Sequence, residues 1–317
     1  MKYVKDYAVA VLIPACMIIL LLILSPETRS FDGVFSILKQ GFAPAVLGWG
    51  VLFGMKVGNW DFSIGARVVL SSILGGNLAV SLGWGVPGFV IITMVISMVL
   101  AVITGVLYRL LNIPTLIVTI GLMLIFESIT RIIYGGNGIH FDNSWCVLGT
   151  WPWNFVVFLI AFAIGTYIYY KRKIGYSVRA AGNNPVVAAT NGINVAQVKT
   201  VAIVISGIFA GIYAIMNTSI SGVCAPVSGT MGSASTVFDA MMCVLIGMSI
   251  ARGGNIMFGV YAGAITTQII KLAMMVLGLP TTYNKVIIGV FVVLFMVSST
   301  RSDIFQNIGK KFKKKAA

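Results

Sequence analysis

Side chains able to do chemistry are few in this chain, and their spacing excludes the common catalytic arrangements. His140 is the single histidine, set in the loop GGNGIHFDNSW. Cys16, Cys146, Cys224 and Cys243 share no metal or redox spacing. Neither a nucleophile elbow, an HExxH helix, a cluster of carboxylates nor a GxxxxGK[ST] loop occurs. The reading is therefore of a protein that is not an enzyme, with no catalytic residue, no cofactor and no metal. Any ATP-driven work must come from another chain. A meeting of Cys146 with Cys224 in the outer loops is the one covalent link left open.

What remains is charge set among apolar residues. Glu127 and Arg131 are four apart in the acid-first order that favours a pair on one helix face. A lone charge at the bilayer centre costs about 2.5–3.5 kcal/mol even on insertion scales, so the two are expected to neutralise each other; a place in the substrate path is the competing reading. Asp61 follows Gly58 and Asn59 at the edge of an apolar run, where its carboxylate would cap the next helix or gate a path. Asp239 opens a run after a Ser/Gly-rich loop and would cap it in the same way. Lys271 and Lys285 lie within apolar runs and are expected to snorkel outward.

These groups must be positioned by membrane helices. Of 317 residues, 58% are hydrophobic and 9% charged, and the mean hydropathy is +0.99, far too apolar for a soluble domain of ordinary composition. A span needs roughly 20 apolar residues. Such runs recur near 7–24, 38–57, 64–82, 86–108, 113–134, 153–170, 200–217, 234–250, 255–278 and 282–299, so the fold class is an all-α polytopic membrane protein of about ten transmembrane helices. With the N-terminus inside, the cytoplasmic connections receive Lys2, Lys5, Lys56, Arg67, Arg109, Lys171, Arg172, Lys173, Arg179, Lys199, Arg252, Arg301 and the lysines of KKFKKK. The outer loops receive only Arg29 and Lys39, with Arg131 near the outer end of its span. That asymmetry puts both termini in the cytoplasm. The net charge of +14 is spread over one membrane face, which argues against nucleic acid and for anionic membrane lipids as partners.

One cytoplasmic stretch, RAAGNNPVVAATNGI at 179–193, carries no charge between Arg179 and Lys199. Asn184 before Pro185 is held extended, the backbone an N-cap needs. Pro185 at the first helical position loses no hydrogen bond, and Gly192 supplies a left-handed stop with Ile193 behind it. The sequence thus writes a short capped helix over Pro185–Thr190. Such a helix is too short to stand alone, and Val186, Val187, Ala188 and Ala189 make it apolar, so it must pack on its own membrane face or on a separate cytoplasmic subunit.

Elsewhere the signals are of packing and anchoring. Gly50, Gly54 and Gly58 repeat at four-residue spacing, and Gly247, Gly253, Gly254, Gly259 and Gly263 lie along two adjoining spans, so helices can approach closely there and tilt past one another. Trp145, Trp151 and Trp153 read as interfacial anchors. The uncharged loop NTSISGVCAPVSGTMGSAS at 217–235 reads as a connector, or as a polar surface where cargo is handed over.

The run KRKIGYSVRAAGNNPVVAATNGINV resembles the cytoplasmic loop of permease subunits of ABC importers of the ribose and monosaccharide class; Gly175, Ala181 to Asn183, Gly192 and Ile193 fit its pattern. NWDFSIGARVVLSSIL is similar to the family's DLSVGS segment through Asp61, Phe62, Ser63, Ile64 and Gly65. IPTLIVTIGLMLIFESITRIIYGG and STVFDAMMCVLIGMSIARGGNIMFGVYAGA are similar to two further spans of the family. Phe238 stands where the family has leucine, IGMSI replaces GGTSL, and the preceding Glu is missing.

The resemblance implies a type II importer-like permease in the plasma (inner) membrane, one permease domain over 1–317 with a coupling loop at 171–199 and a basic cytoplasmic tail at 301–317. It implies partners: cytoplasmic ABC ATPase subunits, an extracytoplasmic solute-binding protein, and a second permease copy or paralogue. It assigns ATPase coupling to Gly182, Asn183, Asn184, Pro185, Ala188, Ala189 and Gly192, and a transport-pathway or structural role to Asp61, Ser63, Gly65, Glu127, Arg131 and Asp239. Nucleosides or branched-chain amino acids are the alternative cargo, and an autonomous secondary transporter the alternative mechanism.

Overall fold

The apolar runs become helices. The computed structural model describes residues 30–251 and 254–278, with residues 19, 283, 286 and 290 singly. Apart from those single residues, the expected spans at 7–24 and 282–299 lie outside the described residues. So do Lys2, Lys5, Arg29, Arg252, Gly253, Lys285, Arg301 and the tail at 301–317.

The helices are α1 (Phe31–Gln40), α2 (Phe42–Lys56), α3 (Ser63–Ser81), α4 (Gly85–Leu111), α5 (Thr115–Ile132), α6 (Trp153–Lys171), α7 (Lys173–Asn183), α8 (Pro185–Thr190), α9 (Val195–Ser221), α10 (Ala234–Ile250) and α11 (Ile256–Val276). Each expected span from 38–57 to 255–278 meets a helix within a few residues, and among the described residues seven helical segments are long and apolar enough to cross a membrane, α1 and α2 counting together as Asp32–Lys56. The eighth, α10, is apolar but shorter, at 17 residues. At 1.5 Å per residue it reaches about 26 Å, less than a full hydrocarbon core of roughly 30 Å.

Two compact units divide the chain, Lys39–Met241 and the remainder. In the first, α9 packs on α4, α2 and α3. Small residues allow it: a Cβ at Gly50 would lie 2.9 Å from Phe209 Cβ, and a Cβ at Gly207 would overlap Ala101. Ser97 Oγ donates to the Gly207 carbonyl at 2.8 Å. Lipid offers no hydrophobic drive for helix association, so this close van der Waals fit with an interhelical hydrogen bond is what holds the helices together. Only Gly50 of its expected triplet serves helix packing. Gly54 faces the Asn59 carbonyl and Gly58 has φ +71, so both build the turn between α2 and α3. On the far side of α4, Ile91, Val95, Val99, Val102 and Val106 form an exposed apolar stripe at helical spacing, a face suited to acyl chains.

In the second unit the glycine faces meet as expected. A Cβ at Gly247 would lie 2.6 Å from Val260 N, and one at Gly259 2.6 Å from the Gly247 carbonyl oxygen. Ile37, Ile265 and Ile269 form a buried cluster there.

Two short strands, β1 (Ile139–His140) and β2 (Val223–Cys224), pair antiparallel and tie the 137–150 loop to the 222–233 loop. His140 is spent on this pairing, opposite Val223. Cys146 and Cys224 are both free thiols, so the covalent link left open by the sequence is not made. Trp151 and Trp153 are exposed as interfacial anchors should be, but Trp145 stacks on Phe141 at 5.1 Å and packs in the cluster around Phe89.

Candidate functional site

The capped mini-helix forms as its local chemistry dictates. Asn184 Oδ1 accepts from Val186 N at 3.0 Å and from Val187 N at 3.1 Å, with Pro185 at the first helical position. At the other end Gly192 has φ +81, and its N–H reaches the Ala189 carbonyl while that of Ile193 reaches the Ala188 carbonyl, both at 3.0 Å. This paired closure is a Schellman motif. Of the apolar residues, Ala188 is 4% exposed and faces its own chain, whereas Val186 is 71% and Val187 53% exposed. Ala189 is exposed as well. The mini-helix thus packs through one alanine and presents its two valines outward.

It is carried by α7, an amphipathic helix whose buried face is Gly175, Val178 and Ala181. From the sequence this stretch is expected only as part of a cytoplasmic loop, although Gly175, Val178 and Ala181 recur at the three-residue spacing of a helix face. A Cβ at Gly175 would overlap the Tyr169 carbonyl, and one at Gly182 would overlap the Lys56 carbonyl. Gly182 is therefore the point where α7 touches the end of α2. Asn183 closes α7 and is exposed.

Beyond Lys56 the turn to α3 is fixed by Asn59, a buried residue with no signal in the sequence beyond its place beside Asp61. Its Nδ2 donates to the Lys199 carbonyl at 3.2 Å and its Oδ1 accepts from Thr115 Oγ1. One side chain thereby joins the α2–α3 turn to the first turns of α9 and α5.

Asp61 lies just before α3 and serves its first N–H, but the N-cap position itself is Phe62, which makes no side-chain cap. Asp61 Oδ1 accepts from Ser63 N at 3.0 Å and Ser63 Oγ at 2.6 Å, and Oδ2 pairs with Arg67 Nη2. Arg67 departs from its expected place among the solvated cytoplasmic cations: it is 0% exposed, and the same Nη2 donates to Ser206 Oγ of α9 at 3.1 Å. The cause is geometric. Arg67 lies in the second turn of α3, beneath the Asp61 carboxylate, and not beyond the helix end. Asp61 lines a small cavity with Asn59, Ile64 and Ser206. Gly65 is a close approach, since a Cβ there would overlap the Ser233 carbonyl.

Glu127 and Arg131 do not pair with each other, in contrast to the expectation from their spacing. Glu127, 1% exposed, accepts from Met231 N at 3.0 Å, Ser233 N at 2.9 Å and Ser233 Oγ at 2.6 Å. Arg131 donates to the Val227 carbonyl at 2.8 Å and to the Gly229 carbonyl, while Thr130 Oγ1 accepts from Val227 N at 3.3 Å. Three residues of one helix turn therefore clasp the loop 227–233. A carboxylate offered three donors satisfies itself there, and a guanidinium offered two carbonyls does the same. Asp239 is not a cap: it is the sixth residue of α10, which starts at Ala234.

Compared with known proteins, residues 33–296 match a family described as the permease component of branched-chain amino acid transport systems. The chain is 27% identical over 286 residues to a ribose import permease of Haemophilus influenzae, covering 85% of this chain and 86% of that one. It is 26% identical over 277 residues to the D-allose transport system permease protein of Escherichia coli, covering 84% and 83%. To a galactose/methyl galactoside import permease of Salmonella typhimurium it is 24% identical over 297 residues, covering 86% and 87%.

Proposed function

The chain belongs to the permease-component family of branched-chain amino acid transport systems, and on that premise we propose that it is the transmembrane subunit of an ATP-driven, binding-protein-dependent importer of a monosaccharide. It is a multi-pass inner-membrane protein. The sugar reading is supported by relatives named as ribose, allose and galactose permeases. The chain acts as a permease and not as an enzyme, as one permease domain with both termini in the cytoplasm. It works in a dimer with a second copy or paralogue, beside cytoplasmic ATPase subunits and an extracytoplasmic binding protein. Transport proceeds by alternating access, through a bundle of about ten spans.

The observation that carries this mechanism is the capped mini-helix that turns Val186 and Val187 outward, a surface an ATPase subunit would cover. Asn184, Pro185 and Gly192 hold its shape, Gly182 links it to α2, and Ala188 anchors it. The Glu127 carboxylate is committed to the 227–233 loop, which weighs against an ion-coupled secondary carrier. The family's description favours a second cargo, branched-chain amino acids; affinity measured on the cognate binding protein separates the two.

The coupling test places charge on the outward face. Val186→Glu with Val187→Glu leaves the chain's own packing intact, whereas Ala188→Glu would break it. The double variant is expected to insert normally, lose co-purification with the ATPase and lose uptake. Wild-type association and uptake in that variant would overturn the coupling reading.

A further inference from the structure

A cavity of about 640 Å³ opens where α6 ends, α7 begins and α9 passes. Its rim is three consecutive exposed cations, Lys171, Arg172 and Lys173, and its floor is the less exposed Ile168, Ile174, Val201 and Ile205. The Arg172 guanidinium is held 4.9 Å over the Tyr167 ring, so its charge is fixed at the rim. No acid neutralises these cations from within: between Asp142 and Asp239 the sequence holds no carboxylate, and α6, α7 and α9 all lie in that interval.

The depth of the cavity names its occupant. Lys171 is the last residue of the candidate span Trp153–Lys171, and Val201 and Ile205 belong to the early turns of the span Val195–Ser221, so cations sit at the membrane edge and aliphatic side chains just inside it. A wholly water-soluble anion would leave the aliphatic floor bare, and a zwitterionic lipid would leave the three cations without net compensation. An anionic phospholipid satisfies both, since basic pockets at helix ends attract its headgroup while its acyl chain lies on apolar surface. We propose that this cavity binds the headgroup and first methylenes of one anionic phospholipid. The inference rests on the chain's being a membrane protein, and on neither its cargo nor its ATPase.

The test is native mass spectrometry of the delipidated full-length chain titrated with phosphatidylglycerol or phosphatidylcholine of matched acyl chains. One phosphatidylglycerol is expected to bind at least tenfold more tightly than phosphatidylcholine. Lys171→Gln, Arg172→Gln and Lys173→Gln together should weaken it by on the order of a hundredfold, from the typical contribution of each basic residue at an anionic surface. Val201→Trp, which fills the floor and changes no charge, should weaken it too. Should the triple variant fail to fold, Arg172→Gln alone and Val201→Trp decide in its place. Equal binding of the two lipids, undiminished phosphatidylglycerol binding in folded variants, or displacement of the lipid by millimolar inorganic phosphate would overturn the proposal, the last by showing a site for free phosphate.

Discussion

Replacing Glu127 by glutamine removes one charge and one acceptor while keeping shape, and the structure says where the loss falls. The wild-type carboxylate serves three donors with two oxygens. Glutamine keeps one oxygen, so whichever way its amide turns, either Met231 N or the Ser233 pair meets an NH2 group. A hydrogen bond to a charged group contributes about 1.5–3 kcal/mol, and a buried donor left unmet costs a similar amount. The clasp should therefore loosen by about 2–3 kcal/mol, which at about 1.4 kcal/mol per tenfold is roughly a 30- to 150-fold rise in the opening equilibrium of the loop. Hydrogen exchange on the protein in nanodiscs reads this directly, through the peptide spanning 227–236. Arg131→Gln added to Glu127→Gln should bring no recovery, because Arg131 then also releases the Val227 and Gly229 carbonyls. Unchanged exchange in the single variant, or rescue in the double, would refute the clasp and restore a pair between the two side chains.

Three further outcomes are expected. Asp61→Asn should lower stability by about 3–5 kcal/mol, because it strands the buried Arg67 charge, and Asp61→Asn with Arg67→Met should recover most of that; melting of the detergent-solubilised protein decides, and a wild-type midpoint for the single variant would count against it. Burial pushes the Cys224 thiol up to about 11, against the opposing hydrogen bonds of Ser72 and Thr218. Since only the thiolate attacks maleimide, Cys224, as the single cysteine of a variant, should stay unlabelled at neutral pH and gain reactivity only as pH climbs toward that value; rapid labelling near neutrality would contradict this. Asn191 and Asn143 are both exposed, so single cysteines placed there, in a background without the native ones, should label from the cytoplasm and from outside respectively, and labelling from one side at both positions would dismiss the proposed topology.

The parts of the site legible in the sequence are those whose cause is local. An N-cap, a proline start and a glycine stop act within a few residues, so Asn184, Pro185 and Gly192 announce the mini-helix with no knowledge of the rest. That the Asp61 carboxylate serves the start of α3 is legible for the same reason. The charges were not. Arg67 resembles a topology cation because it stands near the start of a run, and only Ser206, 139 residues away, reveals that it is buried. The pairing rule for Glu127 and Arg131 describes helices in water, where no other partner competes. Here a loop crosses the helix end with unpaired amides and carbonyls, and a buried backbone group must be satisfied. The lack of any charge in 217–235 was the hint that this loop would borrow its partners from elsewhere.

The same contacts give the proposed coupling a material route. A push on the mini-helix reaches α7, against which it packs, and α7 has no slack against α2, because Gly182 sits on the Lys56 carbonyl with no room for a Cβ. Past Lys56 the chain turns within a few residues into Asn59, which holds the starts of α5 and α9 together, and into Asp61, whose ion pair with Arg67 reaches α9 again through Ser206. Two independent polar ties thus join one turn to α9. Helices packed at glycines and held by buried polar bonds move as rigid bodies, since partial sliding would unpair groups that lipid cannot solvate. A displacement at the apolar face of Val186 and Val187 is therefore shared by α2, α3, α5 and α9, and α5 passes it on to the 227–233 loop through the Glu127 and Arg131 clasp at its other end.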